Sequence, residues 1–156
     1  MRVLILFLLL SACSYAPVLV HDEWTGARTV VAPNSEVSRS QFAIVEARPV
    51  IGLSPTGNDH AVLLNIRRRD ANGPKLVQIT SQGKLMDYVM HDRLRTHCLD
   101  GCQKAEIGAI HLSPHSFQVA ARNGLSLRIW GQRDRYAGHI PAQQFQKALA
   151  IQRKAQ

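Results

Sequence analysis

Phe42-Ala43-Ile44-Val45-Glu46-Ala47-Arg48-Pro49-Val50 is followed by the turn-rich stretch Leu53-Ser54-Pro55-Thr56-Gly57-Asn58-Asp59 and then by a second apolar run, Ala61 to Arg69. That rhythm repeats outward along the chain. Asp70-Ala71-Asn72-Gly73-Pro74 stops the second run, Lys75 to Ser81 ends at Gln82-Gly83, and two further runs follow at Leu85 to His91 and Ala105 to Leu112. Glycine, asparagine and proline supply the backbone angles that tight reversals need, so they punctuate the runs as strand, turn, strand. Strands of this length at this spacing predict an antiparallel sheet, sandwich or partly open barrel.

Two helices interrupt the pattern, each announced by its ends. Ser113-Pro114 puts an N-capping hydroxyl before a proline at the first helical position. Phe117, Ala120 and Ala121 then share one face, and Asn123-Gly124 closes the helix. Leu125 to Trp130 alternates again as a strand, with Leu125, Leu127 and Ile129 on one side and Ser126, Arg128 and Trp130 on the other. Ile140-Pro141 begins the last helix, whose Phe145, Ala148 and Leu149 form an apolar stripe opposite Gln143, Lys147 and Arg153. The expected fold class is mainly β (α+β): a small antiparallel β-sandwich or partly open barrel with two short helices, one of them C-terminal.

The segment before Phe42 is rich in Pro, Ser, Thr and Asn and holds two short apolar pieces, Val18-Leu19-Val20 and Thr29-Val30-Val31. It reads as a tether with room for one strand. At the N-terminus the apolar run Val3 to Leu10 leads into Leu10-Ser11-Ala12-Cys13. A spanning helix needs about 20 apolar residues, so the run is too short to cross a membrane. These residues resemble the lipobox of bacterial lipoproteins. The resemblance implies that residues 1–12 are a removed signal peptide, that Cys13 takes the lipid, with acyl chains such as palmitate, and that this anchor holds the chain to the membrane. Ser14 stands where an aspartate favours inner-membrane retention, which points to the outer membrane, facing the periplasm. An ordinary secretory signal would be cut after Ser14-Tyr15-Ala16, where Pro17 makes a poor junction. The expected organisation is signal peptide 1–12, tether 13–41 and one β-rich envelope domain, 42–156.

Charge sets the expected partners. The 156 residues carry 19 Lys and Arg against 11 Asp and Glu, a net +8. A basic envelope domain meets lipid phosphates, lipopolysaccharide cores and acidic polymers rather than nucleic acid. The alternative is that the excess serves only solubility. One basic cluster is Arg67-Arg68-Arg69 with Lys75 across a hairpin. On a strand Arg67 and Arg69 share a face, so with Lys75 they could fork an anion; the competing reading is protection of an edge strand. Arg128, Arg133 and Arg135 make a second group, and Arg133-Asp134-Arg135-Tyr136 reads as a solvated loop with its own ion pair. Trp24, His60, His111, His115 and His139 read as ordinary surface or core residues.

If lipid consumes Cys13, then Cys98 and Cys102 remain as a pair around the turn Asp100-Gly101, and in an oxidising compartment a disulfide is the default. With His91 and His97 the two thiols could also hold a metal, although the His spacing is loose. A redox-active pair is a further alternative, with His97 beside Cys98. No nucleophile elbow, phosphate-cradling loop, His-Glu-x-x-His or Cys-x-x-Cys is present, so the reading is of a non-enzyme needing no cofactor or metal.

From Cys98 to Leu149 the order of features resembles the C-terminal half of the invasion-associated locus B family of small exported bacterial proteins. The shared features are Cys98-x-x-Gly101-Cys102, a short strand, a helix ending before Gly124, the strand Leu125 to Trp130, and Ile140-Pro141 leading to Phe145 and Ala148-Leu149. They cover about a third of the chain, and the second cysteine pair common in that family has no counterpart between Cys13 and Cys98. The resemblance implies a β-rich envelope domain. The expected function is a non-catalytic, lipid-anchored envelope protein that presents a surface to an envelope protein partner, as an accessory of an assembly or secretion system. The alternatives are a module binding anionic polymers or lipids and, third, a thiol-disulfide protein.

Overall fold

The computed structural model describes residues 16–23, 25–69, 76–96, 103–132 and 134–155. The first strands are β1 (Val18–His21), β2 (Arg28–Val31), β3 (Ser35–Arg39), β4 (Ala43–Leu53) and β5 (Asp59–Arg68). After them come β6 (Leu76–Ser81), β7 (Lys84–Leu85), β8 (Asp87–Thr96) and β9 (Gln103–Leu112). Helix α1 (Pro114–Asn123), strands β10 (Leu125–Gly131) and β11 (Arg135–Ile140), and helix α2 (Ala142–Ala155) complete the chain. All strand pairs are antiparallel, in two sheets that do not close into a barrel. The mainly β, α+β class is therefore the observed one.

The larger sheet runs β1-β2-β4-β5-β9-β8, with β3 also on β4. β4 is long enough to hold two neighbours end to end, pairing Val50 to Leu53 with β2 and Ile44 to Ala47 with β3. Pro49 sits at the change-over. Its carbonyl accepts from the Ala32 N–H at 2.9 Å, so its nitrogen faces the row where β2 has ended and β3 has not begun. A proline is tolerated inside this strand because no ladder bond is lost there.

Alternation decides what the large sheet buries. Val62, Leu64 and Ile66 of β5 and Val45, Ala47 and Ile51 of β4 point to one face. α1 covers that face with Phe117, Ala120 and Ala121, and α2 with Phe145 and Ala148. The smaller sheet, β11-β10-β6-β7, adds Ile79, Leu127, Ile129, Tyr136 and Ile140 to the same core. Phe117 packs edge-on against Phe145, and on its other side against the His60 ring, both with centroids 5.0 Å apart. The helix ends are as read: Ser113 Oγ accepts from the Ser116 N–H at 3.1 Å, and Gly124 caps α1 at φ 75°.

Burial beneath α1 pushes the His60 pKa down, against a backbone hydrogen bond with Asn58 and the Asp59 charge, which raise it. The unfolded chain therefore takes up a proton near pH 6.5 that the folded chain refuses, and stability falls as pH drops below about 6.5. Urea midpoints at pH 7.5 and 5.5 should show this loss, and His60→Gln should reduce it.

Three expectations change. Among the described residues the stretch to Gln41 is not a tether: β1, β2 and β3 join the large sheet, and Val30, Ala32 and Val37 are core residues. Short strands in a polar context, β2 and β3 gain their order from the two halves of β4, and β1 gains its own from β2. The run Leu85 to His91 is divided at Met86, which bonds Ile79 at 2.9 Å as the chain passes from the small sheet to the large one. Gln82 (φ 50°) and Gly83 (φ 79°) both take positive φ, the two-residue primed turn that joins β6 to β7. Arg135 and Tyr136, expected in a solvated loop, open β11, and Tyr136 is buried.

Candidate anion-binding face

β10 turns Leu127 and Ile129 into the core and Ser126, Arg128 and Trp130 away from it. Cross-strand register then fills the outward face. Ser126 lies opposite His139, Arg128 opposite Ala137 on one side and Thr80 on the other, and Trp130 opposite Arg135 and Gln78. The Arg135 guanidinium sits 4.7 Å from the Trp130 ring centroid, a cation-π pair that holds its charge over the sheet. Ser126 Oγ and His139 Nδ1 are 3.0 Å apart and fix the neighbouring row.

What is missing from this face matters as much. Residues 107–156 contain seven Lys and Arg and one acid, Asp134. Asp134 turns to Arg68, whose Nη1 also lies 3.4 Å from the Tyr136 hydroxyl. Arg68 is buried at the end of β5 on the core face, so it draws the single carboxylate away from Arg128 and Arg135. Among the described residues neither of those arginines has a carboxylate partner. Asp134→Asn should cost roughly 1–3 kcal/mol by removing a charged acceptor from a buried guanidinium, seen as a lower urea midpoint.

The basic cluster at Arg67 to Arg69 sits at the end of an inner strand. β5 lies between β4 and β9, so these residues do not guard an edge. Arg67 and Arg69 do meet, together with Arg39, around a depression beside Ser40, Gln41 and Phe42. Arg67 is engaged by Glu46 at 2.9 Å, and Arg39 by Glu36, whose pKa that contact lowers. Two of the three charges are thus locally offset. Lys75 lies outside the described residues, as do Cys13, Arg133, His97, Cys98 and Cys102. The β8–β9 ladder runs to Thr96 opposite Gln103, so the segment bearing Cys98 and Cys102 joins two antiparallel neighbours.

Elsewhere, Glu106 is buried to 1% exposure on β9 and accepts from the Tyr88 hydroxyl at 3.2 Å. His91, His111 and His115 are exposed. Among the described residues no group of three His, Cys, Asp or Glu side chains could hold a metal ion. The sequence places Trp130 outward on its strand but does not foresee its pairing with Arg135 or the acid-free character of the small sheet; the outward alternation of Arg135, Ala137 and His139 was the available signal. No protein-family model matches the chain, and neither a curated protein nor a solved structure does.

Proposed function

We propose that this protein is a non-catalytic, lipid-anchored envelope module whose small sheet binds an anionic envelope polymer through Arg128, Arg135 and Trp130. The observation that carries the reading is the outward face of β10 and β11, where two arginines share a sheet with no acid among the described residues. The lipobox-like Leu10-Ser11-Ala12-Cys13 supports the address, and the net +8 supports the choice of ligand. Guanidinium groups on a rigid sheet suit phosphates and carboxylates because each offers a planar fork of donors. Binding of this kind is screened by salt. Association with lipid-free lipopolysaccharide core should weaken by about tenfold between low salt and several hundred millimolar salt, where the Debye length has shrunk to a few ångströms. Affinity independent of salt contradicts the reading.

A second reading, an accessory that seats an envelope protein partner, is favoured by the open mouth between β7 and β8. Ile79, Leu85, Met86 and Tyr88 line it, and Leu85 is 71% exposed. A photo-crosslinker at position 85 should then capture one defined protein in cells, and capture of none removes this reading.

A further inference from the structure

We infer that β1 rests in the headgroup region of the bilayer, so that the domain is laid against the membrane by its sheet edge. This rests on the lipid-anchor reading of Cys13. Val18, Leu19 and Val20 are 56%, 39% and 48% exposed, although all three are strongly apolar. β1 is the edge of the large sheet, and among the described strands it pairs with β2 alone. Val18 also continues an apolar row through Val31 and Val50 on the face of the sheet opposite the helices.

Chain length identifies the occupant. Val18 lies five positions after Cys13, and an extended chain spans at most about 3.6 Å per residue, roughly 18 Å in all. A lipid seated at Cys13 therefore keeps β1 within reach of the bilayer surface, where exposed valine and leucine side chains leave water for the acyl boundary. The charges beside the edge suit the same occupant. Arg28 of β2, the strand beside β1, donates to the Ala155 carbonyl at 3.2 Å, which ties the end of α2, with exposed Arg153 and Lys154, to β2. Basic groups flanking an apolar strip meet anionic headgroups.

The test compares thiol access in native membranes. The full chain is expressed in a bacterium with an outer membrane, as Val18→Cys and, separately, as Gln118→Cys at an exposed position of α1, and isolated membranes are exposed to a charged maleimide. Position 18 should react at least tenfold more slowly than position 118, and detergent extraction should bring the two rates together. Equal rates in membranes overturn the inference. Protection of position 18 that survives detergent also overturns it and identifies a protein or a second copy of the chain as the cover. Incorporation of radiolabelled palmitate is read in parallel on the unsubstituted chain. Lipid incorporated with equal thiol rates defeats the docking alone, whereas a soluble, unlabelled protein defeats the anchor.

Discussion

Phe117→Ala should be the most destabilising single truncation in the core, costing about 3–5 kcal/mol. Phe117 has no exposed surface and is held between Phe145 and His60, so truncation opens a cavity under α1 that three elements cannot jointly fill. The contact also sets the helices on the large sheet, because α1 and α2 meet each other and β5 and β4 around these two rings. For a domain of this size the melting temperature should fall by roughly 10 °C, measured by circular dichroism. Phe117→Leu should recover part of the loss, since it keeps most of the apolar volume.

Gly138→Ala is the second large effect, although it adds one methyl group. A β-carbon at position 138 would overlap the backbone carbonyl oxygen of Val37, with the Val37 side chain also in its way. β11 crosses β3 there, and the two sheets approach closely because Gly138 presents nothing but a hydrogen. Backbone cannot rotate aside as a side chain does, so the expected cost is about 3 kcal/mol, at the upper end for over-packing. The paired change of Val37 to alanine should not rescue it, because the carbonyl remains.

Those two sites mark where the sequence was and was not sufficient. Ser113, Pro114 and Gly124 act within one turn of the helix they delimit, so α1 is legible from its own residues. The alternation in β4, β5 and β9 is likewise local. The sheet that a strand joins is decided by distant partners. Thr29-Val30-Val31 becomes a strand because β4 offers it a row, Val18-Leu19-Val20 pairs in turn with β2, and β7 separates from β8 because Met86 bonds back to Ile79. The candidate face follows the same rule. Arg128 and Trp130 were legible as outward residues of a strand, but the absence of acid beside them depends on Asp134 pairing with Arg68, which lies 66 positions earlier in the chain.

On the function proposed above, the outward face of the small sheet, rather than net charge alone, binds the anionic partner. Its most direct test sets two charge reversals of equal size side by side against lipid-free lipopolysaccharide core. Arg128→Glu with Arg135→Glu changes the sheet face; Arg122→Glu with Lys147→Glu makes the same change on the two helices. Association should weaken at least tenfold for the first pair and less than twofold for the second, with both proteins folded by circular dichroism. Equal losses in the two pairs, or none in the first, would contradict it.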